Sequence, residues 1–575
     1  MRRLFNEHKT RKVVELSGAW SFAVDTENNG VEKKWYEGIP NGETVMVPSC
    51  WNNELRLLNY EGAAWYQRSF HADGGAVMLE FESVMSQADI WVDGVKVGDH
   101  YGAFTPFQLL IDDLKCGEHL LVVRVDNILN EKSFPQKRTD WFNYGGIARD
   151  AYANQLKGLS ILNNHIVYTL SKDLKTADIW ADMELYNATG AEITDKVTVT
   201  VGDKVIYSGD ITLGAYERKA FKTPEARLCD IELWSCEFPK LYTSVASTST
   251  DDLIEKVGFR FIEIKNLDIL LNGKKVELLG VNRHDEHPDW GFAFPPKLMK
   301  KDIDLILEMG CNTIRGSHYP NSRLFLDMLD ERGILFWSEI PMWGVGFSEK
   351  TLTDEFLMER GFTMHKEMVN YYYNHPSIVI WGMHNEIPTY SKDSYPVSEK
   401  WSKYLRANGG NRLITHASCH PMYDCDMDFD DFISINIYHG WYTYGGYNGN
   451  LGDWNKMIEQ FGQRRIEKGW ENKPVIMSEF GAAALAGYHC HFDTVRWSEE
   501  YQRDLIEYCL ELFHKTDYMR GTYIWQFCNI RTSPTMDINR ARYFNNKGLL
   551  DEYRNPKAAF FKVKELYKKY AEEQK

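Results

Sequence analysis

The chain has 575 residues, with 66 basic and 82 acidic side chains and so a formal net charge of −16. Apolar residues at 43% and charged residues at 26% exclude a disordered or fibrous protein. The acidic balance argues against nucleic acid or an anionic membrane as a partner, since both demand a basic surface.

At roughly 150 residues per domain, the length calls for three or four domains. Near the start, Arg2, Arg3, Glu7 and Lys9 stand where a secretion signal would keep an apolar stretch. No window approaches the ~18 uninterrupted apolar residues of a membrane-spanning helix. The ten cysteines are scattered without a C-x-x-C pair, which reads as reduced thiols and points to the cytoplasm.

Residues 1–160 alternate with period two between turns. Val77–Phe81 and Leu120–Val125 read as strands, and Asp93-Gly94 between Ile90–Val92 and Val95–Val97 is a hairpin signal. With no helical periodicity, this segment is expected to be a β-sandwich, jelly-roll-like. Residues 161–262 stay β but in shorter units. Ile179, Ala181, Met183 and Leu185 alternate, and Val197–Val201 follows, so a small immunoglobulin-like sandwich is expected.

Across residues 263–575 short apolar runs alternate with helical stretches, the pattern of βα units on a parallel sheet. Eight runs can be placed: Val276–Val281, Asn312–Arg315, Ile334–Ser338, Ile378–Gly382, Leu413–Thr415, Phe432–Ile435, Val475–Ser478 and Thr522–Trp525. Helices are expected over Lys297–Met309, Phe356–Tyr373 and Glu499–His514. No G-x-G-x-x-G turn follows the first run, which disfavours an open doubly wound sheet. A (β/α)8 TIM barrel is the reading.

Reacting groups of such barrels sit where strands end. The run ends carry Asn282–Asp285, Arg315–Tyr319, Glu339, Asn385-Glu386, His416, Asn436–His439, Glu479 and Trp525-Gln526. Glu386 and Glu479, after the fourth and seventh runs, would face each other across the mouth. Two such carboxylates are the minimum for glycoside hydrolysis, one protonating the leaving oxygen and one attacking the anomeric carbon. Their environments must then hold one protonated and the other ionised.

The chain resembles glycoside hydrolase family 2 over essentially its whole length. The motifs are Val257–Arg260 leading into Leu271–Gly273, Gly280–His284, Arg315–Pro320, Asn385-Glu386 and Ser478–Gly481. The resemblance implies Glu386 as acid/base, Glu479 as nucleophile, and Asn385 on the sugar 2-hydroxyl. It also implies that the loop Asp140–Ile147 of the first domain reaches the barrel mouth. There Asp140 and His318 would bind hydroxyls, with Trp525 as an apolar floor.

Among family members, Asn282–Pro288 is similar to β-galactosidases. Asn545-Asn546-Lys547-Gly548 instead resembles the Asn-x-Lys-Gly element with which β-glucuronidases grip the sugar carboxylate, and Asn436, Tyr438 and Tyr442 resemble their pattern after strand six. An acidic protein that binds an anionic sugar needs a local cation, and Lys547 would supply it. A retaining exo-β-glucuronidase acting on small-molecule or oligosaccharide glucuronides is therefore expected. The alternatives are a β-galacturonidase or β-galactosidase, and a non-catalytic carbohydrate-binding protein that would have lost one carboxylate.

The resemblance further implies a homo-oligomer, often a tetramer. With no phosphate-binding glycine loop and no H-E-x-x-H, no cofactor is expected, although β-galactosidase relatives can use a divalent ion. His489-Cys490-His491 lacks further ligands at metal spacing, so no metal is expected. The sequence departs from the family pattern at His384 and Ile387 around the acid/base. The short stretch from Glu339 to Pro376 would leave the leaving-group side open.

Overall fold

The computed structural model describes residues 3–137, 139–442, 453–491, 494–534 and 540–573. In the first domain eight strands form one continuous antiparallel sheet. Two of them, Ala63–Phe81 and Phe107–Asp126, are long enough to run through both layers as the sheet folds over on Trp20, Phe22, Tyr66, Leu79, Phe81 and Val123. The sequence shows only their apolar ends as strands, because their middle sections are polar and glycine-containing. The hairpin is present: Gln87–Val92 pairs Val95–Tyr101, and Asp93 and Gly94 both take positive φ (51° and 79°), the backbone a two-residue turn of this hand needs.

The second domain packs two four-stranded sheets face to face. Ile179, Ala181, Met183 and Leu185 alternate inward from Thr176–Asn187 to meet Val197, Val199 and Val201, as period-two patterning requires.

The third domain is a closed barrel of eight parallel strands, β1 (Leu278–Arg283), β2 (Thr313–Gly316), β3 (Leu335–Glu339), β4 (Ile378–Asn385), β5 (Leu413–Ser418), β6 (Ile433–Asn436), β7 (Val475–Phe480) and β8 (Met519–Ile524). Each overlaps one of the eight expected runs. β4 continues three residues past Gly382 through a register shift between Gly382 and Asn385, a stretch whose His and Asn hide it from a hydrophobic reading. β8 starts earlier, at Met519, and stops one residue before Trp525.

Trp337, Ile380, Phe432, Ile476 and Tyr523 fill one end of the barrel, so the other end alone is free to hold polar side chains. Helices pack outside with local caps. Ser322 Oγ accepts from Phe325 N to start Arg323–Arg332, and Gly333, at φ 68°, ends it.

Buried ion pairs join the domains. Arg323 of the barrel pairs with Glu80 and Glu82 of the first domain, and Arg3 pairs with Asp327. Among the described residues, no helix is long and apolar enough to cross a membrane.

Candidate active site

Arg315, at the end of β2, organises the barrel mouth. Its side chain is fully buried, and all its donors are engaged. Nε and Nη2 donate to the two oxygens of Glu339 at 3.0 and 2.9 Å. Nη1 donates to Glu479 Oε1 at 2.9 Å and Nη2 to Asn385 Oδ1 at 2.7 Å. One planar cation thus fixes side chains from β3, β4 and β7, which a flexible ammonium would not do. Gly382 makes room for this arrangement: a Cβ there would lie 2.3 Å from Trp337 Nε1 and 2.8 Å from Glu339 Oε2.

Glu479, 4% exposed, also accepts from Tyr438 OH at 2.7 Å through Oε2. Glu386 follows β4 with positive φ (55°), its amide bonded to Ala417 O, and its Oε1 accepts from Asn436 Nδ2 at 2.8 Å. Asn436 Nδ2 also reaches Asn385 Oδ1 at 3.1 Å, while its Oδ1 accepts from Ser478 Oγ at 2.6 Å. An unbroken chain of hydrogen bonds therefore links Glu386, Asn436, Asn385, Arg315 and Glu479.

Burial pushes both carboxyls above the usual carboxylate range, and the neighbouring Glu386 charge adds to the rise at Glu479. Two such groups favour carrying one negative charge between them. Glu479 receives a guanidinium and a phenol donor, whereas Glu386 receives only a carboxamide. These donors favour the charge on Glu479 and the proton on Glu386, against the burial and the Glu386 charge that push Glu479 up to about 8.

Among the buried polar atoms of this mouth without a hydrogen-bond partner are Asn385 Nδ2 and His318 Nε2, with His284 Nε2, Ser317 Oγ and Gln526 Oε1 also unpartnered around them. His318 donates from Nδ1 to Glu339 Oε1 at 2.7 Å, and burial holds its pKa down at about 4. The ring is neutral, with its lone pair on Nε2, 3.8 Å from Glu479 Oε1. Trp525 stacks on His318, with ring centroids 5.1 Å apart and planes 17° apart. A donor and an acceptor left open in a buried mouth are what a polyhydroxylated ligand would satisfy.

On the other side lies Lys547, with no exposed surface. Its ammonium donates to Tyr442 OH at 2.6 Å and faces the rings of Tyr442, Tyr438 and Trp441 at 4.7, 5.7 and 5.9 Å. Among the described residues no carboxylate lies within ion-pair distance of it. Burial, then the charge of Arg540, pushes its pKa well below the ordinary lysine value, while Asp140 and, after it, Glu479 and Glu386 pull the other way.

Asn545 Nδ2 donates to Asp140 Oδ2 at 2.9 Å, and Asn545 Oδ1 accepts from Lys547 N at 3.3 Å. Asp140 is also paired with Arg540 through both oxygens, so its carboxylate is engaged within the chain. The loop that carries it is held to the barrel by Phe142 N on Arg531 O at 3.0 Å and by Tyr144 OH on Glu286 at 2.8 Å.

All eleven residues singled out from sequence thus meet around one mouth. Of the other rim residues, Arg315, Glu339 and His284 join them, and several do not. Arg283 and Asp285 join Asp302 and Arg554 in a buried ion-pair network, and His416 is held between Asp424 and Asp430. His489 pairs with Glu500 at the surface. Among the described residues, Asp327, Asp330 and His375 alone cluster as metal ligands would, but Arg3 occupies both oxygens of Asp327.

The comparisons with known proteins cover the chain in three segments. Residues 13–156 match the sugar binding domain of glycosyl hydrolases family 2, residues 159–260 match the model described as glycosyl hydrolases family 2, and residues 262–572 match its TIM barrel domain. The chain belongs to glycosyl hydrolases family 2.

Its similarity to a family-2 β-galacturonidase from Eisenbergiella tayi, solved bound to galacturonate, is 35% identity over 99% of both chains with a TM-score of 0.91. A β-glucuronidase from an uncultured Clostridium sp. is 27% identical over 99% of both chains, with a TM-score of 0.85. A β-glucuronidase of Paenibacillus borealis is 27% identical over 96% of each chain.

Within this family-2 barrel, sequence reading assigned no role to Arg315, Glu339 or Arg540. The first two stood at run ends and were visible as rim residues, but their bridging of three strands is a property of closure. Arg540 lies in irregular chain beyond β8 and carried no signal.

Proposed function

We propose that the chain is a retaining exo-β-uronidase, cleaving a terminal β-linked uronic acid from its aglycone. The observation that carries this is Lys547: a fully buried ammonium without a carboxylate partner among the described residues, in electrostatic reach of the carboxyl pair. A neutral sugar would leave that cation desolvated and unpaired, whereas a uronate would pair it, with Asn545 beside it.

In the reading offered, Glu479 attacks C1 as the C1–O bond to the aglycone breaks, and Glu386 gives its proton to the departing oxygen. Water then attacks C1, its proton passing to Glu386, and the ester to Glu479 breaks to release the uronic acid. Asn385 Nδ2 and His318 Nε2 are free groups available to sugar hydroxyls. Arg315 and Tyr438 keep Glu479 ionised for attack.

Two sugars fit a carboxylate clamp. The Asn-x-Lys-Gly element and the β-glucuronidases among its relatives support a glucuronide. The 35% identity to a β-galacturonidase, against 27% for the glucuronidases cited, supports a galacturonide. The two differ only in the orientation of the 4-hydroxyl.

Parallel rates on p-nitrophenyl β-glucuronide, β-galacturonide and β-galactoside test the reading. A clear preference for either uronide over the galactoside is expected. Equal rates on galactoside and uronides would overturn it.

A further inference from the structure

The loops after β4 and β5 carry two exposed tyrosines outside the site described above. Tyr390 lies four residues beyond Glu386 and is 49% exposed, and Tyr423 on the next loop is 74% exposed. Between them, half-buried His420 meets Tyr390 edge to face, with centroids 4.9 Å apart and planes 87° apart.

These rings sit on braced chain. Cys425 N donates to Thr389 O at 2.8 Å, and Thr389 Oγ1 bonds Asp424. Tyr423 N and Asp424 N both donate to His420 O, at 2.8 and 2.9 Å. Arg464 Nε holds Pro421 O at 3.1 Å. Asp424 is in turn anchored on buried His416 at 3.1 Å. The backbone that carries the rings is thus fixed, so ordering a ligand against them costs little loop entropy.

Glu386 N bonds Ala417 O at the end of β5, so the acid/base and the chain entering this loop are adjacent. Cys419, next to His420, feels the charges of Glu386 and Glu479 after the dominant effect of its own burial. The group that leaves does so on the side of the acid that protonates it. The loops that carry Tyr390, His420 and Tyr423 therefore begin beside the residue that would protonate the leaving group.

We infer that Tyr390, His420 and Tyr423 form a subsite for a leaving-group sugar, stacking the apolar face of a pyranose ring next to the scissile bond. This rests on the uronidase reading and deepens it: the substrate is a uronosyl oligosaccharide. A sugar is favoured over an aromatic aglycone because the rings stand open to water and polar Ser391, Lys392 and Asp393 follow Tyr390 in the chain. A planar apolar aglycone would want an enclosed apolar cleft.

The test compares wild type, the double variant Tyr390→Ala/Tyr423→Ala and the double variant Tyr390→Phe/Tyr423→Phe. Each is assayed on a methyl β-uronide, a p-nitrophenyl β-uronide and a disaccharide with the same uronic acid β-linked to a neutral hexose. Both tyrosines are exposed, so folding is not at stake. The alanine pair should lose about tenfold in kcat/KM on the disaccharide, with the methyl uronide unchanged and the phenylalanine pair close to wild type.

Equal kcat/KM of wild type and the alanine pair on the disaccharide would overturn the subsite. So would a loss confined to the p-nitrophenyl substrate, which would mark an aromatic-aglycone site instead. A wild type that cleaves none of the three contradicts the uronidase reading itself.

Discussion

Arg315 and Lys547 are both fully buried cations in the same barrel mouth, and they are solvated in opposite ways. Arg315 has two carboxylates, Glu339 and Glu479, and two carboxamides around it. Lys547 has a phenol oxygen and three aromatic faces. The first site is electrostatically complete within the chain, and the second is one anion short. Burying a charge is tolerated where it is paired, so in the proposed uronidase reading Arg315 is scaffold and Lys547 is the place where an incoming anion adds what is missing.

The largest expected effects are on the carboxyl pair that Arg315 supports. Glu479→Ala should lower kcat by about four orders of magnitude or more, with circular dichroism and thermal unfolding unchanged. Glu386→Ala should cost about 10²- to 10⁴-fold on alkyl uronides and less on p-nitrophenyl uronide, whose leaving group needs little protonation. Near-wild-type rates in either variant would remove that carboxyl from the chemistry.

Arg315→Leu should next destabilise the fold by about 3–5 kcal/mol in denaturant titrations, because it leaves Glu339 and Glu479 buried without their cation. Lys547→Met should behave in the opposite sense. It should leave stability unchanged or raised, while kcat/KM on uronides falls by about 10- to 100-fold, as for a lost charged hydrogen bond, and β-galactoside turnover does not fall. If both variants destabilise equally, the contrast between the two cations is wrong.

The smallest effect sharpens the comparison through pH. The Lys547 pKa is lowered in the folded chain. Its ammonium therefore costs stability fully below the folded value, and the cost is relieved as pH rises toward the unfolded lysine value of about 10.4. A bound uronate raises that pKa again. Calorimetric titration with the free uronic acid, in buffers of different ionisation enthalpy, should show net proton uptake above the folded value. Lys547→Met should abolish that uptake.

Much of this was legible in the sequence. Eight apolar runs located eight strands, and a Glu just past the fourth run and another in the seventh strand located the pair, because barrel closure sends successive strand ends to one mouth. The Asp93-Gly94 turn announced its hairpin because few dipeptides accept two positive φ values. What stayed hidden is non-local. The extension of β4 to Asn385 is disguised by polar residues, and the role of Arg315 depends on partners 24, 70 and 164 positions away. The Arg540–Asp140 pair joins segments 400 residues apart, across two domains.

The most direct measurement is peptide-level mass spectrometry after incubation with 2-deoxy-2-fluoro-β-D-glucuronosyl and galacturonosyl fluorides, which slow release of any glycosyl-enzyme. Expected is a stoichiometric fluoro-uronosyl ester on Glu479, absent from Glu479→Ala and formed faster with one uronosyl donor than with a 2-fluoro-galactosyl fluoride. An unlabelled protein that nonetheless turns over uronides, or a label on any other residue, would contradict the assignment of Glu479 and the retaining route with it.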